Sequence, residues 1–469
     1  MNLYSLLRDR SFEGRPIRVG VIGAGKFGSM FLAQARTTPG IHVMAVADLS
    51  APRALQALRN TGWVEEQISA ASFAQALSSG TTHVTEDAEA MIAADGVDVI
   101  VEATGNPIVG IRHALRCFYH GRHLVMVNVE ADALAGPLLA RRAREAGVVY
   151  SLAYGDQPAL ICEMVDWARA TGFEVVCAGK GTKYLPDYHA STPETVWEYF
   201  GFTDEQVEAG GFNPQMFNSF IDGTKSAIEM AAVANATGLT PSPEGLGFPP
   251  AGADDLAAVC RPRQEGGSLH HAGTVEVVSS LERDGRAVER DLRWGVYVTF
   301  RAATHYAARC FSEYGLVTDE SGYYAALYRP YHLIGLELGI SVAYAALRGE
   351  ATGSATGFRA DVAATAKRDL AAGERLDGEG GYAVYGRLMP AEDSLALGAL
   401  PIGLAHGIEL RNAVSTGEVV RWSDVAIDEG QEPVRVRREM ERLLLRERGE
   451  PADGAAHRGV RLSSDPRGI

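Results

Sequence analysis

The chain holds 469 residues, 46% of them hydrophobic and 22% charged, the proportions of a globular protein and not of a disordered, fibrous or membrane one. One hydrophobic core seldom organises that length, so two or three domains are expected. Forty-four Lys and Arg against 59 Asp and Glu leave a net charge of −15 with no basic block, which disfavours a nucleic-acid or anionic-membrane partner.

The five cysteines, Cys117, Cys162, Cys177, Cys260 and Cys310, contain no CxxC pair and read as small core residues in a reducing compartment. Residues 1–15 offer too short an apolar stretch for a signal-peptide core, and Glu337 interrupts residues 333–347 short of a membrane span. The expectation is a cytoplasmic protein.

From the N-terminus, residues 17–23 form a buried-strand pattern that stops in glycine. A helix follows over 27–35, a strand over 42–47 and a helix over 70–77. Further strands are expected at 97–103 and 123–129, then a helix over 137–146. Strands spaced by helices of this size imply βαβ crossovers and a parallel sheet. After Tyr154 the rhythm changes. Strands are expected at 174–178, 273–280 and 292–300, the last two as an antiparallel pair joined around 283–285, with a long helix over 215–236 and a loop over 241–253. Near Gly357 a third unit begins. Its segment 367–374 is echoed by 411–418, a cation leading and Gly-Glu closing a turn, which points to a small β-rich module with internal pseudo-symmetry.

Gly23-Ala24-Gly25-Lys26-Phe27-Gly28 satisfies GxGxxG, directly after a strand pattern and at the opening of a helix. Gly23 permits the tight turn, Gly25 lets the backbone approach a pyrophosphate, and Gly28 allows helix and strand to pack closely. The helix N-terminus then presents unpaired N–H groups to the phosphates. The second strand ends at Asp48, placed for a ribose 2′-OH, which leans towards NAD; Arg53, one turn on, could meet the 2′-phosphate of NADP, or be a surface arginine. The cofactor is therefore NAD or NADP. Thr104 and Gly105, at the end of the next strand, and Asn128 and Glu130 after the one beyond, lie where ligands bind in open α/β sheets and are expected to wall the nicotinamide.

The middle region concentrates polar residues. Lys180 and Lys183 stand among glycines after a strand, and Asp222 and Lys225 lead into an apolar helix with Glu229 one turn on. Carbonyl reduction needs a proton donor, and a lysine with a pKa lowered by burial can serve, or its cation can polarise the carbonyl or hold a phosphate. Asp222, Lys225 and Lys183 are thus the catalytic candidates and Lys180, Arg329 and His332 the substrate-binding ones. A helix N-cap for Asp222, a solvated face for Lys225 and a structural role for His332 are the plain alternatives. The pair His270 and His271 lacks metal-ligand spacing.

These residues make the first 345 or so positions resemble the homoserine dehydrogenase group. The fingerprint, the segment 128–132 and the C-terminal part, with residues 400–407 between the two repeat units, together resemble the DXR-like reductoisomerases, whose C-terminal module is similar to SAF domains. The resemblance implies an NADPH-dependent conversion of 1-deoxy-D-xylulose 5-phosphate to 2-C-methyl-D-erythritol 4-phosphate, with a divalent cation (Mg or Mn) on oxygen ligands such as Glu130 and Asp156, and a homodimer or other homo-oligomer. A plain dehydrogenase on a sugar acid, polyol or hydroxy acid, and a cofactor-sensing binding protein, are the alternatives. The expected organisation is α/β: a Rossmann parallel sheet binding NAD(P) over 1–155, an α+β substrate domain over 156–350, a β-rich SAF-like module over 357–445 and a disordered tail over 446–469.

Overall fold

In the computed structural model, which describes residues 2–210 and 212–447, the alternating segments of the N-terminal part form one six-stranded parallel sheet. Its strands are β1 (Ile17–Ile22), β2 (Ile41–Ala47), β3 (His83–Thr85), β4 (Val99–Glu102), β5 (His123–Met126) and β6 (Tyr150–Leu152). Their order is β3-β2-β1-β4-β5-β6, the doubly wound Rossmann arrangement. The two-residue period of a strand sorts its side chains between two cores. Val19, Val21, Val43, Val99, Val101 and Val125 join Phe31 and Leu32 on one face, and Met44, Ile100, Leu124 and Met126 enter the other. The C-terminal ends of β1, β4 and β5 converge on the same edge, beside the glycine fingerprint.

The sequence runs the fifth strand to Val129 and starts the next helix at Pro137; the structure differs on both counts. Asn128 ends the strand segment and caps a helix over Val129–Glu145, its Oδ1 accepting from the Ala131 N–H at 3.2 Å. Pro137 lies inside that helix. An interior proline costs about 3 kcal/mol, but Leu134, Leu138 and Leu139 are all buried here, each contributing about 1.5–3 kcal/mol.

The second sheet has the order β10-β9-β7-β8, from β7 (Glu174–Thr182), β8 (Thr274–Ser279), β9 (Val296–Arg301) and β10 (Tyr324–Arg329). The expected antiparallel pairing of 273–280 with 292–300 does not occur. β7 lies between them, parallel to β8 and antiparallel to β9. Only the bridge between Leu281 and Ala287 closes the turn around 283–285. The apolar run of β7 is buried on both faces, so it takes a central place that local turn chemistry cannot foretell.

The long helix expected over 215–236 is two helices, Pro214–Ile221 and Thr224–Thr237, broken at Asp222-Gly223. Gly223 is left-handed, with φ +90°, and a Cβ there would stand 3.1 Å from the His189 ring. Thr224–Thr237 is buried almost all round. It packs against the helices Val129–Glu145 and Gln157–Ala170, against β8, and against two strands of the C-terminal unit, β11 (Ala360–Ala366) and β13 (Val384–Pro390).

β11 and β13 pair antiparallel, and a three-stranded sheet is built from β12 (Arg375–Asp377), β14 (His406–Leu410) and β15 (Val425–Ala426). The two repeat segments pair with each other: Leu370 and Val414 exchange N–H···O bonds of 2.9 and 3.0 Å, and Asp369 accepts from Thr416. The helix Glu432–Glu447 returns to the Rossmann unit, where Arg437 donates to the Leu134 carbonyl and to Asp361. All but the first residues of the expected tail, 446–469, lie outside the described residues. Among those described, no helix is long and apolar enough to cross a membrane. All five cysteines are free, with Cys117, Cys177 and Cys260 buried.

Candidate active site

The fingerprint glycines hold the positions their spacing requires. Gly23 has φ +97°, and a Cβ on it would meet the Ala103 carbonyl oxygen at 2.7 Å; one on Gly28 would stand 2.1 Å from the Gly23 oxygen. Gly25 faces open space and caps the helix Lys26–Ala35, so Lys26, Phe27 and the free N–H groups of that turn frame room for a pyrophosphate. Asp48 and Arg53 are one unit. Asp48 Oδ2 accepts from the Ala24 N–H at 2.9 Å, and its Oδ1 accepts from Arg53 Nε and Nη2 at 3.0 and 2.6 Å. The acid is thus buried and orients the fingerprint turn, while the arginine is exposed beside it.

The segments expected to wall the nicotinamide are hydrogen-bonded to one another. Thr104 Oγ1 donates to buried Glu102, which also faces His113. Asn128 Nδ2 donates to the Asn106 carbonyl at 2.8 Å and to Thr104, spanning the ends of β4 and β5 across the left-handed Gly105. Glu130, on the first turn of the helix that Asn128 caps, points away from the Rossmann unit and pairs with Lys225.

Lys225 sits near the start of the buried helix Thr224–Thr237, and four carboxylates act on it: Glu130, Glu229, Glu379 and Asp156. They outweigh burial and hold its pKa above the ordinary lysine range, so the depression expected for a buried lysine is not found there. Burial, with Glu229 close by, pushes Asp156 up to about 7; burial, with Glu130 close by, pushes Glu379 up to about 8. Lys180 on β7 pairs with Glu229, both buried. His332 joins the rim, its Nδ1 bonded to the Trp294 carbonyl oxygen at 2.8 Å and its pKa lowered by burial. At neutral pH this junction of Rossmann edge, buried helix and C-terminal unit holds two lysines and carboxyls that retain protons, the composition of an acid–base site.

The other candidates have partners of their own. Asp222, fully buried, pairs at 2.8 Å with Lys367 of the C-terminal unit, and its Oδ1 accepts from the Thr224 N–H at 2.9 Å. Lys183 donates to the Tyr199 carbonyl oxygen, its pKa lowered by burial and by Arg293 nearby. Arg329 pairs with Glu337. Sequence reasoning passed over Glu229 as a site residue, although its spacing of four from Lys225 puts both on one helix face, and it gave no signal for Glu379, which tertiary folding alone brings in.

For a divalent cation the donor set does not fit. Among the described residues no group of three or more His, Cys, Asp or Glu can hold a metal, and the Lys225 ammonium stands against Glu130 where a cation would have to bind.

Residues 17–128 match the model of an oxidoreductase family's NAD-binding Rossmann fold, and residues 155–338 that of the catalytic domain of oxidoreductase DRL. No curated protein compared with the chain matches it. Solved structures similar to parts of it include a biliverdin reductase with biliverdin and NADP+ from Synechocystis sp. PCC 6803, at 17% identity and TM-score 0.26 over 40% of this chain and 53% of that one. Another is a myo-inositol dehydrogenase with NAD(H) and myo-inositol from Lactobacillus casei, at 16% identity and TM-score 0.28 over 39% of this chain and 50% of that one. The chain thus spans about half the length of each. The two matched stretches are thus those of an NAD-binding Rossmann fold and of an oxidoreductase catalytic domain.

Proposed function

We propose that the chain is an NAD(P)-dependent oxidoreductase that reduces the carbonyl of a small polyhydroxylated, phosphorylated substrate at Lys225, with 1-deoxy-D-xylulose 5-phosphate as the first candidate and 2-C-methyl-D-erythritol 4-phosphate as its product. The observation that carries this is the Lys225–Glu130 contact. It joins the catalytic unit to the segment that follows the nicotinamide wall. The nicotinamide supplies or accepts the hydride; the fingerprint turn, with Asp48 and Arg53, holds its other end.

Lys225 stays cationic, donates to the substrate carbonyl oxygen and offsets the charge that develops there as hydride arrives. Asp156, buried and held near neutrality, is a second proton-bearing group of the site. A second reading, a dehydrogenase acting on a polyol or hydroxy acid without rearrangement, is favoured by the ammonium that takes the place of a metal.

Incubation of the protein with deoxyxylulose phosphate and NADPH, with and without Mg²⁺, tests the first reading, with product identity followed by NMR. Coenzyme oxidation yielding the branched polyol phosphate supports it. No oxidation above background rejects it, and reduction of NAD(P)+ by polyols or hydroxy acids then points to the second.

A further inference from the structure

The loop 377–381 belongs to the C-terminal unit yet ends inside the catalytic cluster. Glycines fold it: Gly378 and Gly380 have φ +78° and +67°, and a Cβ on Gly380 would lie 2.0 Å from the Gln215 carbonyl oxygen. The helix Pro214–Ile221 grips it from one side. Gln215 Nε2 donates to the carbonyls of Asp377 and Glu379, both at 2.9 Å, and Asn218 Nδ2 to that of Gly380, also at 2.9 Å. From the other side Lys367 Nζ, paired with Asp222, donates to the Gly381 carbonyl at 2.7 Å. Backbone on either side of one side chain is thus fixed, and that side chain is Glu379.

Glu379 is half-buried, and with Glu130 it lines a void with room for a single water-sized group. The charges facing it are Glu130, Lys225 and Asp222, while Ser219 offers it a hydrogen bond. We propose that Glu379 is the proton relay of this active site, returning to Lys225 the proton that carbonyl reduction takes from it. The inference rests on the reading of Lys225 given above. Hydride adds to the carbonyl carbon, and the oxygen takes a proton from Lys225 Nζ. The neutral amine regains one from the Glu379 carboxyl by way of Glu130, which is bonded to Lys225 and shares the water-sized void with Glu379, and the Glu379 carboxylate takes one from water, so each turnover consumes one hydride and one solvent proton. Lys225 holds its proton more tightly than Glu379 does, so the return step runs downhill.

The test uses the full chain with E379Q and E379D, deoxyxylulose phosphate and NADPH. The relay predicts that E379Q loses about 10²-fold in kcat at neutral pH, keeps its NADPH affinity and loses the pH limb near pH 8, and that E379D recovers part of the rate. Wild-type kcat and pH profile in E379Q overturn the relay while leaving the reductase reading intact. If the wild type does not turn this substrate over, the substrate reading fails and the relay is judged on melting curves. Glu379 titrates higher in the fold than unfolded, so its ionisation should cost wild-type stability as pH rises from 4.5 to about 8. A flatter curve for E379Q supports the relay, and superimposed curves overturn it.

Discussion

Lys225 and Asp132 show how burial acts on single side chains. Replacing Lys225 by Ala removes the ammonium that faces Glu130 and Asp156; kcat with the proposed substrate should fall about 10²–10³-fold, while NADPH titration by fluorescence gives an unchanged affinity. Asp132, fully buried on the first turn of the helix Val129–Glu145, accepts from Tyr150 Oη at 2.8 Å, and burial pushes its pKa up to about 7. A raised carboxyl favours the fold while it is protonated. The sign follows: stability is full below pH 3.8 and lost as pH rises through about 7. D132N should remove that loss, so its melting temperature should exceed the wild type's at pH 8 and vary less between pH 4 and 8, as calorimetry across that range will test.

At the scale of elements, the first βαβ unit couples its acid to its arginine. Asp48 spends one oxygen on the Ala24 N–H and the other on Arg53. Arg53→Ala should therefore weaken NADP more than NAD, by about tenfold for a lost charge-assisted bond to phosphate. Equal losses for both coenzymes in parallel titrations would remove Arg53 from the choice. The break between the helices Pro214–Ile221 and Thr224–Thr237 makes a second element-scale case. Its Asp222 is locked to Lys367, and D222N strands a buried lysine, which should cost about 3–5 kcal/mol in urea unfolding. Much of this scale was legible in advance. The glycine fingerprint, the strand ends at Asp48 and Glu102 and the Leu370/Val414 repeat are local patterns with local causes. The pairing of β8 with β7 was not, because the buried centre of that sheet is filled by a strand distant in sequence from its partners.

For the whole molecule, the C-terminal unit is bonded into the other two. Arg437, fully buried, donates to Asp361 of β11 and to the Leu134 carbonyl of the Rossmann helix, and Lys367 reaches Asp222 and Ser191. R437M leaves Asp361 an unpaired buried charge and should lower stability by about 3–5 kcal/mol. Calorimetry should resolve a C-terminal transition that the wild type lacks. The sequence alone determined the Rossmann class of the N-terminal sheet and its glycine turn, since hydrophobic period and glycine spacing are written within some thirty consecutive residues. Which titratable groups meet was decided only by tertiary structure. Lys225 is surrounded by Glu130, Asp156 and Glu379 from three separate stretches of chain, and Asp222, promising beside it in sequence, is turned away by one left-handed glycine to hold Lys367. Charge interactions act through space and depend on burial, and neither quantity is defined until the helix Thr224–Thr237 has been enclosed by the elements around it.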